Sequence, residues 1–260
     1  MKLHEDKTAF KTLINNIIER YPTLRADIIE KDYYVCLILE ELSKKANQSY
    51  AYFKGGTALY LSLKEMRRFS EDIDLTIDIS GCKNNSQTKK RLKDAVTGFS
   101  SLLGKNTIQE SKGSMTVNYH YESLFDFDID PLQRFGIVKV EGTSFTISEP
   151  IKNAKIFPQI YSLATEQEKE KLTSLYNVKP FEVITMTIER IFIDKIFACE
   201  YYYQRNKLYD AAKHIYDIVV LMSESSIKRL LNTDEEMKRL ITIERKEELN
   251  RIGGIEPTLK

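Results

Sequence analysis

Phe53-Lys-Gly-Gly-Thr-Ala-Leu-Tyr-Leu-Ser-Leu-Lys-Glu-Met-Arg-Arg-Phe-Ser-Glu-Asp-Ile-Asp-Leu-Thr-Ile-Asp78 is the stretch on which the fold turns. It reads as a short strand, a glycine turn, a helical turn or two, a basic loop and a second strand. On that second strand Asp72 and Asp74 stand two apart, so the pleat sends both carboxylates to one face and Ile73, Leu75 and Ile77 to the other. One face is equipped to hold a metal, the other to pack. Gly55-Gly56 lets the backbone turn and come close to a ligand, and Thr57 is placed to cap the following helix, aiming its N–H groups at an anion. Arg67 and Arg68 add charge between the two halves. The candidate nucleotide-binding residues here are Gly55, Gly56, Thr57, Arg68 and Ser70. Carboxylates beside a phosphate cradle suit phosphoryl or nucleotidyl transfer, because Mg²⁺ (or Mn²⁺) keeps few protein ligands and takes the rest from phosphate and water.

The rest of the composition narrows the class. The 260 residues, 42% hydrophobic and 30% charged, suffice for one large or two modest cores. With 39 basic against 38 acidic side chains there is no global field for a nucleic acid, so any such partner must meet a local patch. The charged start, Met1 to Lys7, and the short apolar run Tyr33–Leu39 argue against a signal peptide or a membrane span and for a cytoplasmic protein. Cys36, Cys82 and Cys199 are too few and too far apart for a disulfide framework or zinc cluster, and Cys36 and Cys199 are expected in the core. His4, His120 and His214 are scattered, which argues against a histidine metal site.

Helical periodicity covers residues 7–20 and a second segment from Pro22 to about Ala46, both expected to cover the sheet. A basic helix is expected from about Ser86 to Leu103. Its Lys83, Lys89, Lys90, Arg91 and Lys93 form the best local candidate for a nucleic-acid phosphate contact, set against an ordinary solvated face. Antiparallel strands are expected at Met115–Tyr121, Leu124–Asp130, Ile137–Glu141 and Ser144–Ile147, giving a mixed sheet. Pro150, Pro158 and Pro180 with the charged run Glu166–Lys171 suggest a boundary. Residues 1–150 then form the core with its N-terminal helices, and 151–260 a linker and a helical domain, helical from Phe181 onward.

In that helical part, Lys195 falls on the apolar stripe of Ile188, Ile191, Ala198, Cys199 and Tyr202, where a lysine is expensive unless it meets an anion or snorkels out. Asp217 lies opposite the stripe of Leu208, Ala211, Ala212, Ile215, Ile218 and Met222, so spacing alone makes it a solvated aspartate. The tail from Asp234 to Asn250 reads as a charged helix packed through Met237, Leu240, Ile241 and Ile243, ended by Gly253-Gly254.

The string Lys54-Gly-Gly-Thr, then Arg68-Phe-Ser-Glu-Asp-Ile-Asp-Leu75, resembles the first motif of the AbiEii/AbiGii toxin family, within the DNA polymerase β-like nucleotidyltransferase superfamily. Glu30-Lys-Asp-Tyr-Tyr34 is similar to that family's lead-in, which would bring Lys31 and Asp32 towards the site. Asp194-Lys-Ile-Phe-Ala198 looks like its second motif, whose lysine meets the nucleotide, and Lys213-His-Ile-Tyr-Asp217 like its third, with lysine in place of arginine. The resemblance implies an α/β (α+β) fold, with a mixed-sheet nucleotidyltransferase core, N-terminal helices and a helical C-terminal domain. It implies catalytic roles for Asp72, Asp74, Lys195 and Asp217, with a third carboxylate beside the Asp-x-Asp. Two sources are open for that carboxylate, the row Asp126, Asp128, Asp130 and, favoured, Glu141. The metal set is then Asp72, Asp74 and Glu141, with a nucleoside triphosphate as substrate. The family further implies a toxin with a cognate antitoxin, and an acceptor such as a tRNA 3′ end. The alternatives are a small-molecule nucleotidyltransferase of the antibiotic-modifying kind and a non-catalytic nucleotide-binding regulator.

Overall fold

The structure is a computed structural model that describes residues 1–45, 50–63, 69–99, 107–111, 113–125, 135–145 and 149–251. In chain order its helices and strands are α1 (Lys7–Arg20), α2 (Ala26–Ser43), β1 (Ala51–Lys54), α3 (Gly55–Ser62), β2 (Ile73–Ile77), α4 (Asn85–Val96), β3 (Thr107–Ser111), β4 (Ser114–His120) and β5 (Ile137–Thr143). There follow β6 (Ile151–Ile156), α5 (Gln159–Ser162), α6 (Glu166–Tyr176), β7 (Phe181–Met186), α7 (Ile188–Gln204), α8 (Leu208–Leu221), α9 (Ser225–Leu231) and α10 (Asp234–Arg251).

The seven strands of the described residues form one mixed sheet in the order β3-β4-β5-β2-β1-β7-β6. Strand β2 lies antiparallel to β1 and parallel to β5, and β7 lies parallel to β1. Register sorts the side chains. Ile73, Leu75 and Ile77 share a face with Phe53 and Val140 and are fully buried, as the alternation at Asp72–Asp78 requires. Under that apolar face α2 packs on β5 and β7, and α4 on β2, β4 and β5. Gly142 marks the closeness of α4, since a Cβ there would press on Val96 of that helix.

Several expectations are corrected. Ile151–Ile156 and Phe181–Met186, expected as linker and helix, are strands β6 and β7, so the sheet takes strands from both sides of residue 150. Strand β6 is an edge strand whose Lys152 and Lys155 stay exposed, a charge pattern that blunts an open edge and hides the strand from a periodicity count. Strand β7 carries the β-branched Val183, Ile184 and Thr185, but the helical pattern that begins at Ile188 runs straight into it. Helix α4 stops at Val96, short of the expected Leu103, where Gly98 turns with φ +77°. Leu124 and Phe125 are irregular rather than strand, Ser144 and Phe145 lie beyond the end of β5, and β3 was not expected. The remainder of the expected strands, Asp126–Asp130 and Thr146–Ile147, lies outside the described residues, as do Arg67, Arg68 and Gly253-Gly254.

Helix α8 is the largest reversal. Its apolar stripe was expected to pack, yet Leu208, Ala212, Ile215 and Met222 are exposed and Asp217, opposite them, is buried. Periodicity finds the stripe; it does not say which side meets the protein. Cys36 is buried as expected, Cys199 is half-buried, and all three thiols are free. Among the described residues no helix is long and apolar enough to cross a membrane.

Candidate active site

The polar face of the sheet carries the carboxylates. Asp74 is in register with Lys54 of β1 on one side and Glu141 of β5 on the other, so the three side chains stand in one row across the sheet. Lys139, two residues before Glu141 and therefore on the same face, reaches Asp72 at 3.5 Å and Glu141 at 3.2 Å. Asp72, Asp74 and Glu141 thus converge around cationic side chains. The aspartate row Asp126, Asp128, Asp130 lies outside the described residues, and Glu141 occupies the place beside Asp74.

Burial, then the neighbouring Asp72 charge, pushes the Asp74 carboxyl up to about 6, with Lys54 pulling the other way. Lys54 is in turn lowered by burial, against the attraction of Asp74, Glu247 and Glu244. Lys139 behaves oppositely: burial would lower it, but Asp72, Glu141 and Asp74 together hold it above the ordinary lysine value. The carboxylates are short of positive charge.

Gly55 opens α3 at φ +80°, and a Cβ there would overlap the Asp74 carboxylate, so only glycine lets the helix start this close to the acidic row. Thr57 does not cap the helix as expected. The N-cap position is Lys54, and the buried Thr57 hydroxyl instead meets Ser70 Oγ at 2.9 Å, tying α3 to the segment that leads into β2. Ser70 therefore stands behind the turn, and Arg68 lies outside the described residues.

The opposite wall comes from the C-terminal helices. A cleft of about 260 Å³ is lined by Lys54, Gly55, Asp74 and Glu141 from the sheet side and by Asp194, Lys195 and Tyr201 of α7, His214 of α8 and Glu244, Glu247 and Glu248 of α10. Thr187 caps α7 through the Arg190 N–H. Lys195 and Asp217, 7% and 0% exposed, form an ion pair of 2.9 Å that joins α7 to α8. This is the anion the apolar position of Lys195 called for, and it explains why α8 turns its Asp217 side inward.

Several residues at the site escaped the sequence. Arg190, fully buried, meets Asp194, Glu244 and Glu247 and so pins α10 across α7. Burial raises the Glu247 carboxyl while Arg190 opposes the rise. Nothing local distinguishes Glu244 and Glu247 from the other charges of a Glu-, Lys- and Arg-rich helix, and Lys54 reads as one more strand residue.

By contrast, the lead-in residues do not reach this site. Glu30 accepts from the Leu124 N–H at 2.8 Å, Lys31 donates to the Ile137 carbonyl, and Asp32 accepts from the Gln159 N–H at 2.7 Å. The basic helix is also less available than it looks, since Lys89 pairs with Glu110, Lys90 with Asp94, and Arg91 donates to the Asp78 carbonyl.

A family model described as nucleotidyl transferase AbiEii toxin, type IV toxin–antitoxin system, matches residues 37–256. The chain belongs to the AbiEii family. Every wall of the cleft falls within the matched residues, whereas Glu30–Asp32 precede them. Membership makes the chain one of a family of nucleotidyl transferase toxins, and implies a nucleotide substrate and a cognate antitoxin. No curated protein matches the chain.

The AbiEii cleft can be tested for a divalent cation on its own donors. Among the described residues no three His, Cys, Asp or Glu side chains form a ready-made metal cage. Asp72, Asp74 and Glu141 are hard oxygen donors crowded on one face, with Lys139 bridging two of them where positive charge is needed. An incomplete all-oxygen set fits Mg²⁺ or Mn²⁺ shared with phosphate, and does not fit zinc.

Proposed function

We propose that the chain is a metal-dependent nucleotidyltransferase that moves a nucleotide from a nucleoside triphosphate to the 3′ end of an RNA such as tRNA. The observation that carries this is the facing of two charged sets across one cleft, Asp74 and Glu141 on the sheet beside Gly55 at the start of α3, and Lys195 of α7 backed by the buried Asp217 of α8. Asp72, Asp74 and Glu141 would hold Mg²⁺ or Mn²⁺. When bound, the cation supplies the charge that offsets the triphosphate and the leaving pyrophosphate. The start of α3, opened by Gly55, presents backbone N–H groups to phosphate oxygens. Asp217 holds the Lys195 ammonium in one position, from which it neutralises charge on the triphosphate. An acceptor hydroxyl attacks the α-phosphorus in line. The bond to the bridging oxygen breaks, pyrophosphate leaves, and the hydroxyl proton passes to the carboxylates of the cleft. Such transfer needs position and charge rather than a nucleophilic side chain. The RNA acceptor rests on the family, since Lys89, Lys90 and Arg91 are already engaged within the chain.

The test incubates the protein with Mg²⁺, each labelled nucleoside triphosphate and total bacterial RNA, beside an Asp72→Ala/Asp74→Ala control. Label in a tRNA-sized band with the native protein alone is the expected result. An Asp74→Ala protein that is folded and active would overturn the mechanism; label on a small acceptor and none on RNA would overturn the acceptor.

A further inference from the structure

The exposed stripe of α8 is a second surface, on the far side of that helix from the cleft. Leu208, Ala212, Ile215, Val219 and Met222 follow one another at intervals of four, three, four and three residues, the spacing of a helix–helix seam. Leu208, Ile215, Val219 and Met222 are between 49% and 63% exposed, and Ala212 is exposed as well. At 100° per residue the stripe centres directly opposite Asp217, so the side of α8 that holds Lys195 faces in while the seam faces out.

We infer that this stripe is the interface with a second copy of the same chain. Three features favour a copy over another partner. The spacing asks for a helix, and a two-fold axis through the seam gives one with the same spacing. The side chains bordering the stripe, Ala211, Tyr216, Ile218 and Ser223, carry no charge. Self-pairing therefore meets no like-charge repulsion, and nothing along the seam selects an oppositely charged protein or a nucleic acid. The area also fits. The five side chains expose on the order of 500 Å² of mostly apolar surface, near the top of what a lone domain tolerates. Two such patches face to face bury at most about 1,000 Å², below the range of permanent interfaces and on the scale of a weak, concentration-dependent pair. The stripe lies on the opposite side of α8 from Asp217, so pairing through it uses none of the cleft residues.

Sedimentation velocity on the full chain tests it, from about 1 to 100 µM on the scale of interfaces this small. The expected result is a concentration-dependent rise from the 30.3 kDa of one chain to twice that mass. Ile215→Lys/Val219→Lys should hold the protein at the single-chain mass over the whole range with an unchanged far-UV spectrum, and Ile215→Leu alone should keep the association of the native chain. Should the double-lysine protein lose its helical signal, Leu208→Lys/Met222→Lys, at the ends of the seam, decides in its place. A native chain that stays single at the highest concentration overturns the inference. So does a dimer that survives both lysine pairs.

Discussion

Among the described residues, the charged side chains of α2 and those around the cleft are spent differently. On α2, Glu30, Lys31 and Asp32 each end on the backbone of another segment: Leu124, Ile137 and Gln159 respectively. Across the sheet, Lys195 ends on Asp217, Arg190 on three carboxylates and Lys139 on two, all in or beside a cleft. A charge that terminates the backbone of a neighbouring segment away from the cleft is a fastener. A charge whose partner is another movable charge beside open space keeps a field that a ligand can use. Burial alone does not tell function from structure; the partner does.

The sharpest way to break this contrast is to make the ion pair apolar. Lys195→Met or Asp217→Leu alone leaves one buried charge uncompensated and should cost about 3–5 kcal/mol in urea unfolding. The double variant should recover most of that loss while transfer stays down by about 10²–10³-fold, the scale for losing one preorganised electrostatic contact. A double variant that regains both stability and turnover would reduce the pair to another fastener.

Asp32 offers the next largest effect, and with a definite sign. Burial raises its carboxyl to about 7, against the pull of the Gln159 N–H and Cys36, and its Oδ1 has no hydrogen-bond partner among the described residues. The folded chain therefore binds a proton that the unfolded chain has already lost. Its contribution is fully present below the ordinary value of 3.8 and is lost as pH rises through about 7. Asp32→Asn keeps the shape without the titration. Relative to the native protein it should gain about 2–4 kcal/mol between pH 4 and 8. Thermal melts of both proteins across that range measure the difference, and parallel curves would show that Asp32 does not carry it. Glu30→Gln and Lys31→Met should each cost about 1–3 kcal/mol by leaving a loop group unpaired. Transfer per folded molecule should stay at the native level; a tenfold loss with intact folding would move α2 into the site.

The same contrast explains what the sequence disclosed. The directions of Gly55 and Asp74 were legible because strand alternation and a glycine pair fix them within a few residues, whereas Glu141 was one of two sources left open for a third carboxylate that the resemblance implied. Lys195 was legible as a misplaced charge. Its partner was not legible from spacing: the periodicity of α8 marked Asp217 as the polar side, only the motif resemblance made it a candidate, and tertiary packing turned that side inward. Glu244 and Glu247 were hidden for a related reason, since their partner Arg190 lies 54 and 57 residues away in sequence. Strands β6 and β7 were lost to a charged edge and to an adjoining helical pattern, and β3, an edge strand of Thr107-Ile-Gln-Glu-Ser111, has a single apolar residue and so no alternation to count.

Helix α4 sets the lower bound of the comparison, because its charges are neither buried nor aimed at the cleft. Lys89 and Lys90 keep 68% and 77% of their side-chain surface while pairing with Glu110 and Asp94. Exposed pairs of this kind contribute about 0–1 kcal/mol and fade with salt. Lys89→Ala/Lys90→Ala should therefore leave the unfolding midpoint almost where it was. Arg91 is excluded from the variant because it donates to the Asp78 carbonyl and lies over Tyr50, so its loss would disturb the ends of β1 and β2 as well. Transfer to RNA should then stay within about twofold at moderate salt, since two lysines already balanced by carboxylates release few counterions from a phosphate backbone. A large fall in RNA transfer with unchanged triphosphate binding would mean that RNA displaces Glu110 and Asp94. Helix α4 would then join the charges whose partners can be exchanged.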